Sequence, residues 1–235
     1  SIKNGKICMS CLACKSNKKE LYCRKDSFEL FKCLNCSLIS VSNMPTDSDL
    51  NDFYNNYFKT KQYTSKLQSK IRRAKKRLKS IRKYSKGNKF IDVGCNVGFA
   101  VEAARQIGFD ANGIDLDASA IKVANDLFPT CCFSNDSLEA LARDKKQYDV
   151  IYCSEVIEHL SSLDKFVDSL LEILAPGGVL LLTTPDMGHF ALTKNVKKLI
   201  KERFIRPPEH LFYFNKQSIK QLFLSHGFTR IKFMI

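Results

Sequence analysis

Residues 89–117, KFIDVGCNVGFAVEAARQIGFDANGIDLD, decide how the chain is read. An apolar run (Phe90, Ile91, Val93) enters a turn made of Gly94, Cys95, Asn96, Val97 and Gly98, and an alanine-rich helical pattern runs from Ala100 to Gln106. After a glycine-containing break, a second apolar run stops at Asp115. Strand, turn, helix, strand is one half of a nucleotide-binding α/β unit. Glycines let the backbone approach a ligand and leave the first amides of the helix pointing at it. An acid about 20 residues further on, at the tip of the next strand, suits a pair of ribose hydroxyls.

The same residues carry a family resemblance. D-V-G-C-N-V-G (Asp92 to Gly98), followed by G-I-D (Gly113 to Asp115), resembles the cofactor motif of class I S-adenosylmethionine-dependent methyltransferases, usually D/E-x-G-x-G-x-G. Asn96 stands where the middle glycine is usual. Asn is the non-glycine residue that best tolerates left-handed backbone, so the turn is expected to form. The resemblance implies an α/β, Rossmann-like methyltransferase sheet with helices on both faces and S-adenosylmethionine as cofactor. It places Asp92, Gly94, Cys95, Asn96, Gly98, Asp115 and Leu116 around that cofactor.

Downstream segments extend the resemblance. Ala118 to Phe128 reads as a helix capped by Asp117 or Ser119, and Thr130 to Phe133 as a short strand. Asp136 matches the loop acid that in the family approaches the adenine amino group; equally it could cap the helix beginning near Leu138. Tyr148 to Ser154 is a buried strand with E-V-I-E-H-L (Glu155 to Leu160) at its carboxyl end, where ligands collect in open parallel sheets. Ser154 and Glu155 are expected to shape the cofactor pocket, and His159 to face cofactor or acceptor, while Glu158 caps or orients a helix. A helix from Leu163 to Leu174, a Pro176-Gly177-Gly178 turn and a strand from Val179 to Thr184 complete the pattern.

Pro185 to His210 is a long basic insertion with its own expected helix, Leu192 to Phe204, and reads as an acceptor lid. Pro208 to Phe214 resembles the family's P-x-H-x-x-x-F segment. His210 and His159 are the candidate general bases, since imidazole takes a proton near neutral pH. His189 lies on the same expected edge and His226 reads as a helix terminus. A last helix (Ser218 to Ser225) and a strand (Thr229 to Ile235) give six strands, where the family sheet has seven. Starting at Ser1 and one strand short, the chain reads as trimmed, or as taking its last strand from elsewhere.

Cys11-x2-Cys14, eighteen residues, then Cys33-x2-Cys36 is zinc-ribbon spacing: two knuckles presenting four thiolates to one tetrahedral ion. CLACK and CLNCS resemble each other, which favours Cys11 and Cys14 over Cys8 and Cys11. Leu21 to Cys23 and Phe28 to Phe31 are the expected hairpin strands. Four cysteines close the site, so the zinc is expected to be structural. Ten cysteines without a secretory signal fit metal or buried thiols in a reducing compartment, and the chain is assigned to the cytoplasm. No apolar run approaches the roughly 18 residues of a membrane span.

The expected organisation is a zinc ribbon over 1–44, a helical linker over 45–86 and a methyltransferase domain over 87–235. In the linker, Met44 to Asp49 is a helix-start cluster and Leu50 to Phe58 a short aromatic helix. This order of parts resembles bacterial methyltransferases acting on sugars, lipids or secondary metabolites. Between Lys59 and Lys89 stand fourteen Lys or Arg and no acid, as many positive charges as the whole formal net charge of +14. Leu67, Ile71, Ala74, Leu78 and Ile81 mark an amphipathic helix with one packed face and a cationic ridge. Such a ridge is a solvated face, or meets an anionic or lipid-linked acceptor, a membrane surface, or RNA. The function expected is methyl transfer from S-adenosylmethionine to a small-molecule acceptor. The alternatives are an RNA methyltransferase gripping its substrate with ribbon and basic helix, and a non-catalytic binding protein.

Overall fold

A computed structural model describes residues 6–7, 10–46, 48–50, 66–189, 195–201 and 203–234. The chain divides into two compact units, one of Ser1–Tyr57, Ile157–Val167 and Thr184–Ile235, the other of Phe58–Val156 and Asp168–Thr183.

The first unit opens with short strands β1 (Lys6–Ile7), β2 (Lys19–Lys25), β3 (Phe28–Cys33), β4 (Ile39–Val41) and β5 (Asn43–Met44). The expected ribbon hairpin is β2–β3, antiparallel with a register shift between Leu21 and Cys23. Phe28 and Leu30 are buried two residues apart along β3, the period-2 signature of a half-buried strand, and Cys33 is buried at its end. At the linker start, Thr46 and Asp49 bond reciprocally (Asp49 N–H to Thr46 Oγ1, 3.2 Å; Thr46 N–H to Asp49 Oδ2, 3.0 Å), a capping box in the expected helix-start cluster. The aromatic helix expected after Leu50 lies outside the described residues.

The second unit is a five-stranded parallel sheet. Its elements in order are α1 (Leu67–Ile81), β6 (Lys89–Val93), α2 (Phe99–Arg105), β7 (Asp110–Ile114), α3 (Ala118–Leu127), β8 (Cys132–Ser134), α4 (Leu138–Arg143), β9 (Tyr148–Ser154), α5 (Leu163–Ile173), whose first turns belong to the first unit, and β10 (Leu174–Thr183). The sheet order is β10-β9-β6-β7-β8, all pairs parallel, so the order reverses beside β6. Ligands bind at the carboxyl ends of strands flanking such a switch. Helix α1 buries the predicted stripe of Ile71, Ala74, Leu78 and Ile81, and α2 buries Ala100, Val101, Ala103 and Ala104, whose small side chains let helix and sheet approach closely. Phe90, Phe109 and Tyr152 form the aromatic centre of this core, with Phe90 5.7 Å from Phe109 and 6.4 Å from Tyr152. Glu102, buried on α2, is neutralised by the Arg105 guanidinium at 2.8 and 3.0 Å, which holds its carboxyl below the usual range.

The first unit resumes with α6 (Val196–Lys201), β11 (Phe212–Tyr213) and α7 (Lys216–Ser225). Strand β11 joins the ribbon in a sheet of order β11-β4-β3-β2. Two expectations are revised. Of the expected insertion helix Leu192–Phe204, Val196–Lys201 is helical and residues 195, 203 and 204 are not, while 192–194 and 202 lie outside the described residues. No strand forms among the described residues of 228–234, although Ile231 and Phe233 alternate as a strand would. Phe233 and Met234 are 38% and 50% exposed, and without a face to bury, alternation alone does not order a strand.

Candidate functional site

In the second unit the glycine turn forms as the sequence predicts. Gly94, Asn96 and Gly98 all take positive φ, +75°, +49° and +82°. At Gly94 a Cβ would stand 2.5 Å from Val156 Cγ2, and at Gly98 2.5 Å from the Phe133 ring, so both positions need glycine for space as well as conformation. Asn96 holds its left-handed backbone with its own side chain, whose Oδ1 accepts the Val97 N–H at 2.8 Å.

The turn is tied to the neighbouring strand by backbone and by one acid. The Gly94 and Cys95 N–H groups both donate to Ile114 O at 2.9 Å. Asp115 accepts the Asn96 N–H on Oδ2 at 2.8 Å and the Asp117 N–H on Oδ1 at 2.9 Å. The predicted acid is therefore fixed against the turn by both oxygens, each with a further lone-pair direction left to offer. Burial nonetheless raises its pKa, ahead of the lowering by those two amides. Next to it Leu116 is 74% exposed, a large apolar side chain presented outward.

Asp92, at the end of β6, is 3% exposed, and burial, helped by the charge of Asp115, raises its pKa well above the usual carboxylate range. This buried acid stands at the carboxyl end of a strand beside the switch point. Beyond β8, Asn135 donates from Nδ2 to Asp115 O at 2.9 Å, while Asp136 is exposed and leaves capping of α4 to Ser137, whose Oγ accepts the Ala140 N–H. Asp117 caps α3 through the Ser119 and Ala120 N–H groups. At the end of β9, Ser154 and Thr183 hydroxyls meet at 2.7 Å, Thr183 Oγ1 donates to Glu155 at 3.0 Å, and the Glu155 N–H donates to Thr183 O at 2.9 Å. Glu155 thereby sits in left-handed backbone, φ +57°. Thr183 and Asn135 escaped sequence reasoning. Single hydroxyl and amide residues carry no spacing signature, and only strand pairing brings Thr183 opposite Ser154.

In the first unit His159 and His210 stand edge to face, ring centres 4.8 Å apart. The Glu209 carbonyl can only accept, so its short contact with His159 Nδ1 places the proton there and the lone pair on Nε2, 3.9 Å from Glu158 Oε1. The Arg206 guanidinium can only donate, so His210 Nε2 accepts from it at 2.9 Å. Burial drives both rings toward the neutral form: His159 is pulled down to about 4, and His210, with His159 and Arg206 adding to the effect, to about 3. Glu158 is buried and takes the Thr184 hydroxyl at 3.0 Å. Arg206 and Tyr213 complete the cluster, the Tyr213 hydroxyl donating to His210 O and accepting the Arg206 N–H, both at 3.0 Å. His189 is exposed, and His226 caps the end of α7, as the sequence predicts.

The four predicted cysteines come together in the same unit. Cys11 and Cys36 sulfurs are 3.5 Å apart, as are Cys14 and Cys33, and all four lie within 4.8 Å of one another. Thiolates on a tetrahedral zinc at about 2.3 Å sit roughly 3.8 Å apart, so the donor set and spacing fit that ion.

A family model described as a methyltransferase domain matches residues 63–232. The ubiquinone biosynthesis O-methyltransferase of Psychrobacter arcticus is 38% identical over 163 residues, covering 61% of this chain and 60% of that protein. The mitochondrial ubiquinone biosynthesis O-methyltransferase of Mus musculus is 35% identical over 106 residues, 42% of this chain and 29% of its own. The chain thus spans at most about three fifths of these relatives. Among solved structures, magnesium protoporphyrin IX methyltransferase from Synechocystis PCC 6803, with bound SAH, superposes with TM-score 0.56 at 17% identity over 80% of this chain and 91% of that one. A SAM-dependent methyltransferase from Archaeoglobus fulgidus gives 0.55 at 18% identity over 69% and 71%. At those identities the likeness is one of fold.

Proposed function

The chain belongs to the methyltransferase domain family, and on that premise we propose that it transfers a methyl group from S-adenosylmethionine to a hydroxyl of a small-molecule acceptor. The observation that carries the reading is Asp115, held by two backbone amides against a left-handed turn at a sheet switch point. Its remaining lone pairs suit a ribose diol, exposed Leu116 offers an apolar surface to adenine, and Asp136 is in reach of solvent for the adenine amino group. Gly94, Cys95, Asn96 and Gly98 let the backbone approach, Asp92 matches a cationic amino-acid moiety, and Ser154 and Glu155 wall the end of β9.

When bound, the cofactor supplies an electrophilic methyl group on a sulfonium. The protein's share is alignment, exclusion of water and removal of the acceptor's proton. His159 is the better base of the two candidates. Its Nε2 carries the lone pair, its Nδ1–H is fixed by Glu209, and the Glu158 carboxylate near Nε2 favours the imidazolium once formed. His210, with Nε2 engaged by Arg206, orients its neighbour. A structural zinc on Cys11, Cys14, Cys33 and Cys36 belongs to the same proposal.

The hydroxyl acceptor is inferred from relatives named O-methyltransferases. An anionic or lipid-linked acceptor is favoured by α1, whose exposed Arg72, Arg73, Lys76 and Lys79 have no carboxylate partner among the described residues. No helix among the described residues is long and apolar enough to cross a membrane. Calorimetric titration of S-adenosylmethionine and S-adenosylhomocysteine into the zinc-loaded protein, with Asp115→Ala as control, tests the cofactor. Micromolar binding lost in the variant is expected; no binding by folded protein would overturn the proposal.

A further inference from the structure

The ribbon is not a separate appendage within its unit: its strands and knuckles are bonded to the segments that carry His159 and His210. Strand β4 begins three residues after Cys36 and pairs with β11, Ser40 opposite Phe212 and Ile39 opposite Tyr213. One step further the Val41 N–H donates to Leu211 O at 3.1 Å, and the Leu211 N–H donates to Glu158 O at 2.8 Å. Leu211 follows His210 and Glu158 precedes His159, so a single residue of backbone links the ribbon sheet to both imidazoles.

The knuckles themselves are gripped from the same side. Asn215 Nδ2 donates to Cys36 O at 3.1 Å and Gln217 Nε2 to Asn35 O at 2.9 Å, both from the start of α7. Lys15, in the first knuckle, reaches Asp164 at 2.7 and 2.9 Å, five residues beyond His159, and Asp164 also meets His226 Nε2 at 3.2 Å. Lys15 and Asp164 are half exposed, so that ion pair adds little by itself. The backbone and amide bonds are the ones that fix geometry, because Leu211, Phe212 and Tyr213 are all buried and their polar groups have no water to fall back on.

We infer that the four-cysteine centre is a positioning device for the His159–His210 pair: occupied by metal, it fixes β4, and β4 fixes Leu211 and with it both rings. A ribbon of this size has too little apolar surface to hold β4 in register alone, and metal binding supplies that folding free energy. That the pair serves methyl transfer rests on the reading above; that the metal centre orders the pair does not.

The test compares the full chain loaded with zinc and stripped by chelation under reducing conditions. The readouts are imidazole NMR signals through a pH titration, amide exchange at Val41 and Leu211, and S-adenosylhomocysteine affinity. On stripping, we expect protection at Leu211 to fall at least about tenfold and both rings to leave their depressed values for the ordinary histidine range, about 6.5, with S-adenosylhomocysteine affinity changed less than about threefold. Ribbon amides that lose protection while Leu211 and both rings stay unchanged would overturn the inference. Should stripping unfold the whole chain, V41P decides: it leaves the cysteines intact and deletes the donor to Leu211 O. With cobalt(II)–thiolate absorption unchanged, loosened rings are expected and unmoved rings refute. Failure of the loaded protein to bind S-adenosylhomocysteine would count against the cofactor reading, while ring and exchange data still decide the positioning role.

Discussion

Asp115→Asn separates what this acid does for the fold from what it does for a ligand. In the folded chain its two oxygens accept the Asn96 and Asp117 N–H groups at 2.8 and 2.9 Å. The amide keeps one acceptor oxygen and turns an NH₂ toward the other donor. Against that loss stands a relief. The pKa of Asp115 is raised by burial, so its ionised form is less favourable in the fold than in the unfolded chain, and at neutral pH the charge destabilises. The two effects oppose, and the net change in stability should stay within about 1–2 kcal/mol, a melting shift under roughly 8 °C. A ribose diol has no such compensation. The amide leaves one oxygen to accept from the diol, so about one hydrogen bond to a carboxylate is lost, about 1.5–3 kcal/mol, and affinity for S-adenosylhomocysteine should fall on the order of 10- to 10²-fold. Calorimetry and a thermal melt on the same samples read both numbers. Affinity within threefold of the parent in a variant that melts normally would refute the assignment of Asp115 to the ribose.

Other outcomes follow from the same geometry. N96G should keep cofactor binding and stay within about 1 kcal/mol of the parent, glycine's ease at φ +49° offsetting the lost bond to Val97, whereas N96V should lose about 2 kcal/mol or more in a denaturant titration. G98A places a Cβ 2.5 Å from the Phe133 ring at φ +82° and should cost about 2–4 kcal/mol, with F133L in the same chain returning part of it; strict additivity of the two would show that the clash is not the cause. If Asp92 faces a cationic moiety, S-adenosylmethionine binding should release protons below the raised pKa of Asp92, seen as a binding enthalpy that changes with buffer ionisation enthalpy; a buffer-independent enthalpy across that range argues against the contact. His159 and His210 have folded values of about 4 and about 3, below the unfolded value of about 6.5, so the unfolded chain protonates first and stability should fall with pH below about 6.5, by roughly 3 kcal/mol from His159 alone once pH 4 is reached. Denaturant midpoints for the parent and H159N across pH 4–7 check the slope.

Most of the nucleotide-type half was legible because each of its steps is local. The Gly94–Gly98 turn, the acid at the tip of β7 and the helix cap at Asp117 are set by residues within a few positions of one another, and conformational preference writes itself into residue type there. Asn96 is instructive: its departure from glycine was readable as tolerable, but not that its own amide would secure the following N–H. The four cysteines were legible for a different reason, since a tetrahedral ion dictates spacing as strictly as a turn does.

What escaped depends on contacts between segments far apart in sequence. Thr183 acquires its place beside Ser154 only through the β9–β10 register, and Phe212–Tyr213 reads as part of a family motif while its pairing partner, β4, lies some 170 residues away in the chain. The clearest case is the order of merit of the two histidines. The sequence offers His210 and His159 alike as candidate bases, and proton availability is set by what each nitrogen touches. Arg206 engages His210 Nε2, the Glu209 carbonyl claims His159 Nδ1, and the lone pair therefore sits on His159 Nε2. A guanidinium four residues before His210 is visible in the sequence, but its direction is not. Tautomer is a property of the folded contact rather than of the motif, so a P-x-H segment read from sequence names a histidine without saying which of its nitrogens holds the proton.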